Sequence, residues 1–173
     1  MIRKANKKDI ERVSASYEEL FAYEAEHCSH TNWIPGVYPT KATAQAAFET
    51  GTLYALEENG EFYGSIILNH LQPPEYQSVD WYYEAKNEEV LMVHTLCIRP
   101  SKKGQGYGRQ FVDFVSQHAA QTSCKVIRLD TWENNFPAIR LYTSSGFRLA
   151  GSGPMRLQGL IQEQQVYLES KVE

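Results

Sequence analysis

Gly104-Gln-Gly106-Tyr-Gly108 sets three glycines at alternate positions between a strand-like run and an amphipathic stretch. Glycine lets a backbone approach a ligand closely and turn successive N–H groups toward it. A helix that starts directly after the loop adds unpaired amides and a partial positive charge. Arg99, Lys102, Lys103 and Arg109 cluster around the loop. This combination suits the pyrophosphate of one small anionic ligand; a plain glycine-rich turn joining strand to helix would share the pattern. A P-loop needs GxxxxGK followed by Ser or Thr, and Arg109 does not supply the lysine. A dinucleotide fingerprint needs GxGxxG; Gly104 and Gly106 fit, but the third glycine falls at Gly108, one position early. Asp130, about 20 residues on, suits the ribose-binding acid of that fingerprint. The five residues from Arg99 to Lys103 separate strand from first glycine, where a dinucleotide fold turns tightly.

Other chemically capable residues lie apart from the loop. His94 sits inside the apolar run Val90–Ile98 and has the intrinsic pKa of a general base, although a core histidine bonded to backbone would look the same. Trp33 and Tyr38 lie in a loop broken by Pro35, Gly36 and Pro39, and Trp81 in the long connection from Leu71 to Glu89. Such aromatics are either lids over the core or walls that stack a ligand or hold a cation. His27, Cys28 and His30 are close in sequence, but no further ligand pair with zinc spacing accompanies them, so no metal is expected.

A third phosphate-binding device fits more of the chain. The stretch Leu96-Cys-Ile-Arg-Pro100 followed by Lys103-Gly-Gln-Gly106-Tyr-Gly108 resembles the acetyl-CoA loop of the GNAT (GCN5-related) N-acetyltransferases, a [QR]-x-x-G-x-[GA] motif after a strand ending aliphatic-x-aliphatic-x-Pro. Lys103 replaces the usual Gln or Arg, keeping the charge and losing the planar fork. A second signature of that family, Asn-x-x-Ala…Leu-Tyr…Gly-Phe, is similar to Asn135-Phe-Pro-Ala138-Ile-Arg-Leu141-Tyr142-Thr-Ser-Ser-Gly146-Phe147. The resemblance runs from about Tyr54 to Phe147.

That resemblance implies a single domain over residues 1–173 with a GNAT fold: a mixed twisted α/β sheet of six to seven strands, about four helices, and splayed fourth and fifth strands. It implies acetyl-CoA as co-substrate. Backbone groups of Leu96, Cys97 and Ile98 would pair with pantetheine, and Lys103, Gly104, Gln105, Gly106, Tyr107, Gly108 and Arg109 would surround the pyrophosphate. Asn135 and Tyr142 would complete the cofactor side, with Tyr142 as the acid that protonates the departing thiolate. Attack needs a neutral amine, yet an amine of pKa ~10.4 is neutral only about one part in a thousand near pH 7.4. A base or desolvation must therefore free it. His94, which is similar to the second histidine of the arylalkylamine acetyltransferases' His-x-His stretch, is the candidate base. Met92 occupies the position of the first histidine and of the base glutamate in some histone-type members. Trp33, Tyr38 and Trp81 are expected near the acceptor. The expected function is N-acetylation of a small-molecule amine, or of a protein amine. The alternatives are a non-catalytic acetyl-CoA-binding regulatory module of the same fold and a Rossmann-type dinucleotide domain. A homodimer is common in the family.

The bulk properties agree with such a chain. It has 173 residues, 42% hydrophobic and 22% charged, with net charge −4. One domain of this length buries enough surface to need no staple. The negative balance argues against broad nucleic-acid binding. Three widely spaced cysteines, Cys28, Cys97 and Cys124, without a CxxC pair point to a reduced, cytoplasmic setting. No signal-like N-terminal run or membrane-length apolar stretch occurs.

The elements that must position these groups are legible from periodicity. Met1–Ala5 reads as a short strand. Asn6 and Asp9 stand in capping-box positions before Ile10, Val13, Tyr17, Leu20 and Phe21, predicting a helix to about His27. Thr40 caps a second helix ended by Gly51. Asn59-Gly60 between apolar runs predicts a hairpin. Val90–Ile98 reads as a central strand, and Phe111, Phe114, Val115 and His118 as the buried stripe of the helix after the loop. Lys125–Asp130, Phe147–Gly151 and Gln165–Glu169 read as strands, and Asn135 as the cap of a short helix.

Overall fold

The computed structural model describes Met1–Glu173. In chain order the elements are β1 (Ile2–Lys4), α1 (Asp9–Glu26), α2 (Lys41–Glu49), β2 (Leu53–Glu58), β3 (Glu61–Asn69), β4 (Val90–Ile98), α3 (Tyr107–Gln121), β5 (Val126–Trp132), α4 (Phe136–Thr143), β6 (Arg148–Leu157) and β7 (Ile161–Lys171). The strands form a seven-stranded mixed sheet in the order β1-β2-β3-β4-β5-β7-β6. β4 and β5 run parallel, while β1–β2, β2–β3, β5–β7 and β6–β7 run antiparallel. A doubly wound dinucleotide fold is built on a mostly parallel sheet, so the Rossmann alternative does not hold. Parallel pairing of β4 with β5 covers only Val90–Met92 and Val126–Arg128, although the strands continue to Ile98 and Trp132. This is the expected splay.

The chain divides into two compact units. One contains residues 1–29, 33–68 and 94–111. Its core is the α1 face of Ile10, Val13, Tyr17, Leu20 and Phe21 against Ala44 and Ala47 of α2, Leu53 and Ala55 of β2, Phe62 and Ile67 of β3, and Cys97. The other contains residues 30–32, 69–93 and 112–173. Its core gathers Tyr76, Val90, Met92, Val126, Met155 and Tyr167.

Local chemistry explains most boundaries. Helix α1 begins at Asp9, later than Asn6 suggests. Asn6 Oδ1 accepts from the Lys8 N–H at 2.9 Å, a turn before the helix, while Asp9 Oδ2 reaches back to the Asn6 N–H at 2.8 Å. The reciprocal cap expected at Asn6 is realised at α2, where the Thr40 and Thr43 side chains each accept from the other's backbone. Asn59 and Gly60 both take positive φ, 53° and 78°, as a type I′ hairpin turn requires. The buried stripe of α3 differs from expectation: Phe111, Val112, Val115 and Ala119 are buried. Phe114 and His118 flank it and stack on one another at 5.8 Å. Strands β6 and β7 are 10 and 11 residues long, about twice the expected length.

Candidate active site

Strand β4 is positioned by an unusually close neighbour. A Cβ on Gly64 of β3 would stand 2.6 Å from the Cys97 carbonyl oxygen and 3.2 Å from Ile98 Cα, so only glycine fits there. Thr95 has φ +48°, rare for a β-branched residue and a local break in the strand. Its hydroxyl hydrogen-bonds with the Tyr38 hydroxyl. His94, next to it, is half-buried, as are Leu96 and Ile98, while Cys97 is buried. Burial pushes the Cys97 thiol up to about 12, and it donates weakly to the Ser16 carbonyl at 3.8 Å. It packs; it is not a nucleophile.

After β4, a single 3-10 turn at Pro100–Lys102 leads into the glycine loop. Gly104 and Gly106 have φ of 74° and 85°, and no atom lies within 4 Å of where a Cβ would be on either. Both are exposed, as are Lys103, Gln105 and Arg109. Helix α3 starts at Tyr107, and its first i→i−4 bond runs from the Gln110 N–H to the Gly106 carbonyl at 3.2 Å. The amides of Tyr107 and Gly108 thus open the first turn of a 15-residue helix, ahead of its i→i−4 ladder. These residues fit an anionic phosphate group: an open backbone cradle with inward donors and no side chain in the way.

The surrounding basic cluster differs from the sequence expectation. Arg99 Nε donates to Glu19 Oε2 at 2.8 Å, and its Nη1 to the Phe62 carbonyl at 3.3 Å. Lys102 Nζ pairs with Glu61 Oε1 at 2.9 Å and lies 4.4 Å from the Tyr63 ring centre. Both charges brace the loop rather than face an open ligand site. Lys103 Nζ lies 4.7 Å over the Tyr23 ring. Tyr107 packs on Tyr63 at 4.8 Å.

The aromatic candidates are less exposed than their loops suggested. Tyr38 is buried, and Trp33 meets it edge-on at 6.1 Å. Trp81, in the other unit, donates its indole N–H to the Tyr76 carbonyl at 3.0 Å. Its ring lies 4.9 Å from Tyr76, 6.1 Å from Tyr167 and 4.4 Å from the Arg128 guanidinium. Each is fixed by its neighbours, as a preformed wall would be.

The same unit holds the second signature. Asn135 caps α4, its Oδ1 accepting from the Ala138 N–H at 3.3 Å and its Nδ2 donating to Thr131 Oγ1 at 3.1 Å. Tyr142 is 5% exposed and packs edge-on against Phe147 at 5.2 Å. Burial raises its phenol above its ordinary value of 10, so it stays protonated at neutral pH. Two acids lie on β5 and β7 of this unit: Asp130, which the sequence marks only for a dinucleotide motif, and Glu163, which it does not single out. Asp130 accepts from the Tyr76 hydroxyl at 2.6 Å, and burial raises it to about 6. Glu163 accepts from Asn32 Nδ2 at 2.5 Å and from Gln165 Nε2; burial raises it to about 7, helped by the Asp130 charge. Glu163, at an alternate position of β7, looks like part of a solvated face in sequence, yet it is buried, while Asp130 on β5 is half-buried.

Comparison with known proteins converges with this geometry. The model of the Acetyltransferase (GNAT) family matches residues 13–147. The chain belongs to this family. Among curated proteins, the streptothricin acetyltransferase of Escherichia coli is 30% identical over 95 residues, 55% of this chain and 51% of that protein. The chain thus spans about half the length of this curated relative. Among solved structures, a GNAT-family acetyltransferase from Streptococcus agalactiae 2603 aligns with TM-score 0.82 at 18% identity, covering 100% of this chain and 95% of that one. The yncA structure from Salmonella typhimurium, solved with its cofactor acetyl-CoA, aligns with TM-score 0.68 at 19% identity over 100% of this chain and 94% of that one. The fold of the GNAT chain is that of the family. No helix is long and apolar enough to cross a membrane.

Proposed function

We propose that this GNAT chain moves an acetyl group from acetyl-CoA to the amine of a small molecule, with Tyr142 as general acid. The observation that carries the reading is the loop. Two exposed glycines in left-handed conformations lead straight into the N-terminus of α3, with nothing where their side chains would be. Residues Lys103 to Arg109 would hold the pyrophosphate, and the backbone of Leu96 to Ile98 the pantetheine. When bound, acetyl-CoA supplies an acetyl group already activated as a thioester.

The chain's own groups then have three tasks. His94, directly or through water, takes the proton of the incoming amine. A backbone N–H of β4 stabilises the negative charge that develops on the acetyl oxygen. Tyr142, held protonated by burial, delivers its proton to the departing sulfur and Asn135 fixes the helix that carries it. Trp33, Tyr38 and Trp81 are the aromatic residues proposed to meet the acceptor. The likeness to a streptothricin acetyltransferase supports a small-molecule acceptor over a protein amine.

The test couples calorimetric titration of acetyl-CoA with a thiol-release assay over a panel of amines. Binding that Gly106→Val abolishes, together with amine-dependent thiol release, is the expected result. Binding of NAD without CoA, or normal acetyl-CoA binding by Gly106→Val, would sink the loop assignment.

A further inference from the structure

The face of β5 and β7 that carries Asp130 has an unusual charge balance. Along β7, Glu163, Gln165, Tyr167 and Glu169 share one face, and the register sets Tyr167 opposite Asp130 and Gln165 opposite Trp132. Arg128, two residues before Asp130, is committed to Glu169, whose Oε2 accepts from its Nε at 2.6 Å. The remaining acids are bonded to neutral groups: Asp130 to Tyr76, and Glu163 to Asn32 and Gln165. Glu75 adds a third negative charge that acts on Asp130.

A second observation points outward from this cluster to a missing donor. Gln165 is 1% exposed. Its amide nitrogen donates to Glu163, which lays the amide against that carboxylate, yet its Oε1 is a buried acceptor with no partner. A buried acceptor left unmade costs about 1–3 kcal/mol, so such atoms are rare without a ligand or water to serve them. On β6 the residues opposite Gln165 and Tyr167 are Gly153 and Gly151, which bring no side chain over Gln165, while Met155, opposite Glu163, packs with Tyr76 and Tyr167. A Cβ on Gly153 would point at the Tyr167 hydroxyl, 3.8 Å away. Tyr76, Trp81 and Tyr167 supply aromatic rings beside it.

We infer that Asp130, Glu163 and the Gln165 carbonyl form a subsite for an ammonium group of the acceptor, making the enzyme selective for amines that carry a second positive charge. This rests on the N-acetyltransferase reading. An alkylammonium has three donors and no acceptor, which matches two carboxylates and one orphaned carbonyl. Aromatic rings beside it suit a cation further. Burial and mutual repulsion hold part of the acid pair protonated near neutrality, so an arriving ammonium displaces protons to solvent as it ionises the pair.

The test compares cadaverine with n-pentylamine, which have the same carbon chain but two and one ammonium groups. Titration calorimetry on the protein alone at pH 6.5, in two buffers of different ionisation enthalpy, gives both affinity and proton release. Cadaverine should bind at least about tenfold more tightly and release protons. Glu163→Gln and Asp130→Asn, checked for folding by thermal melt, should each bring the ratio to within about twofold. A wild-type ratio within twofold, or a ratio unchanged in both variants, overturns the subsite. Acetyl-CoA titration of the same wild-type protein is read separately. Its failure would remove the transferase reading without touching the diamine ratio, and a preserved acetyl-CoA affinity with no diamine preference would remove the subsite alone.

Discussion

Replacing Arg128 by methionine should be among the most damaging single changes in its unit. The guanidinium is 6% exposed and its partner Glu169 is fully buried. Arg128 also donates to Gln72 Oε1 at 3.0 Å and to the Tyr83 carbonyl at 2.7 Å, and it stacks on Trp81. One side chain thus straps the connection between β3 and β4 to β5. In Arg128→Met, the Glu169 carboxylate keeps only the Tyr83 N–H at 3.1 Å and loses its buried counter-charge. Breaking such a pair from one side costs about 3–5 kcal/mol. At about 2–4 °C per kcal/mol for a chain of this size, Tm should fall on the order of 10 °C. Thermal unfolding followed by circular dichroism reads it. Removing both charges is different: Arg128→Met combined with Glu169→Met should recover at least half of the loss, because no uncompensated charge remains. A single-variant Tm within about 3 °C of the parent, or a strictly additive double variant, would refute the reasoning.

Gly64→Ala should lower Tm and weaken acetyl-CoA binding together, since its methyl must displace the β4 backbone at Cys97; overpacking of this kind costs about 1–3 kcal/mol. An unchanged melt would show that β3 and β4 can separate freely there. Tyr142→Phe should reduce turnover by about 10²-fold or more, the usual worth of a general acid, with acetyl-CoA affinity within about twofold; turnover within twofold of the parent would end the assignment. The pH dependence of stability follows from Asp130 and Glu163, raised to about 6 and about 7 from 3.8 and 4.5. Between the ordinary and raised values the folded chain holds protons that the unfolded chain has lost. Stability should therefore fall as pH rises from about 4 to 7. Glu163→Gln should flatten the upper part of that decline, and Tm profiles of identical slope would exclude Glu163 as a source.

The parts of this fold that were legible in the sequence are those where one residue type has a single use. Asn59-Gly60 fits a hairpin turn, Thr40 a helix cap, and Gly104 and Gly106 a backbone that swings into positive φ. The two family signatures rest on the same kind of residue. What escaped depended on partners distant in the chain. Strand β6, RLAGSGPMRL, carries glycines and a proline that read as loop; its strand form comes from pairing along β7. Arg99 and Lys102 looked like ligand-facing charges until Glu19 and Glu61 were brought against them by the fold. Tyr38 and Trp81 lie in loops rich in polar and turn residues, and only packing shows how little of them is exposed. Asp130 stood out only for a dinucleotide motif, and Glu163 not at all, because burial is not written in an alternating strand.

Thr95 shows how a single backbone torsion narrows what evolution or design can place at one position. Its φ of +48° carries a penalty of about 1–3 kcal/mol for a branched side chain, which glycine or asparagine would largely escape. Glycine would also give up the hydroxyl that holds Tyr38, and asparagine would have to reach it with a longer, planar group. Position 95 therefore trades conformational ease against an anchor for the loop between α1 and α2. A library randomised there should return few winners, and those should be compensated at Tyr38 rather than elsewhere.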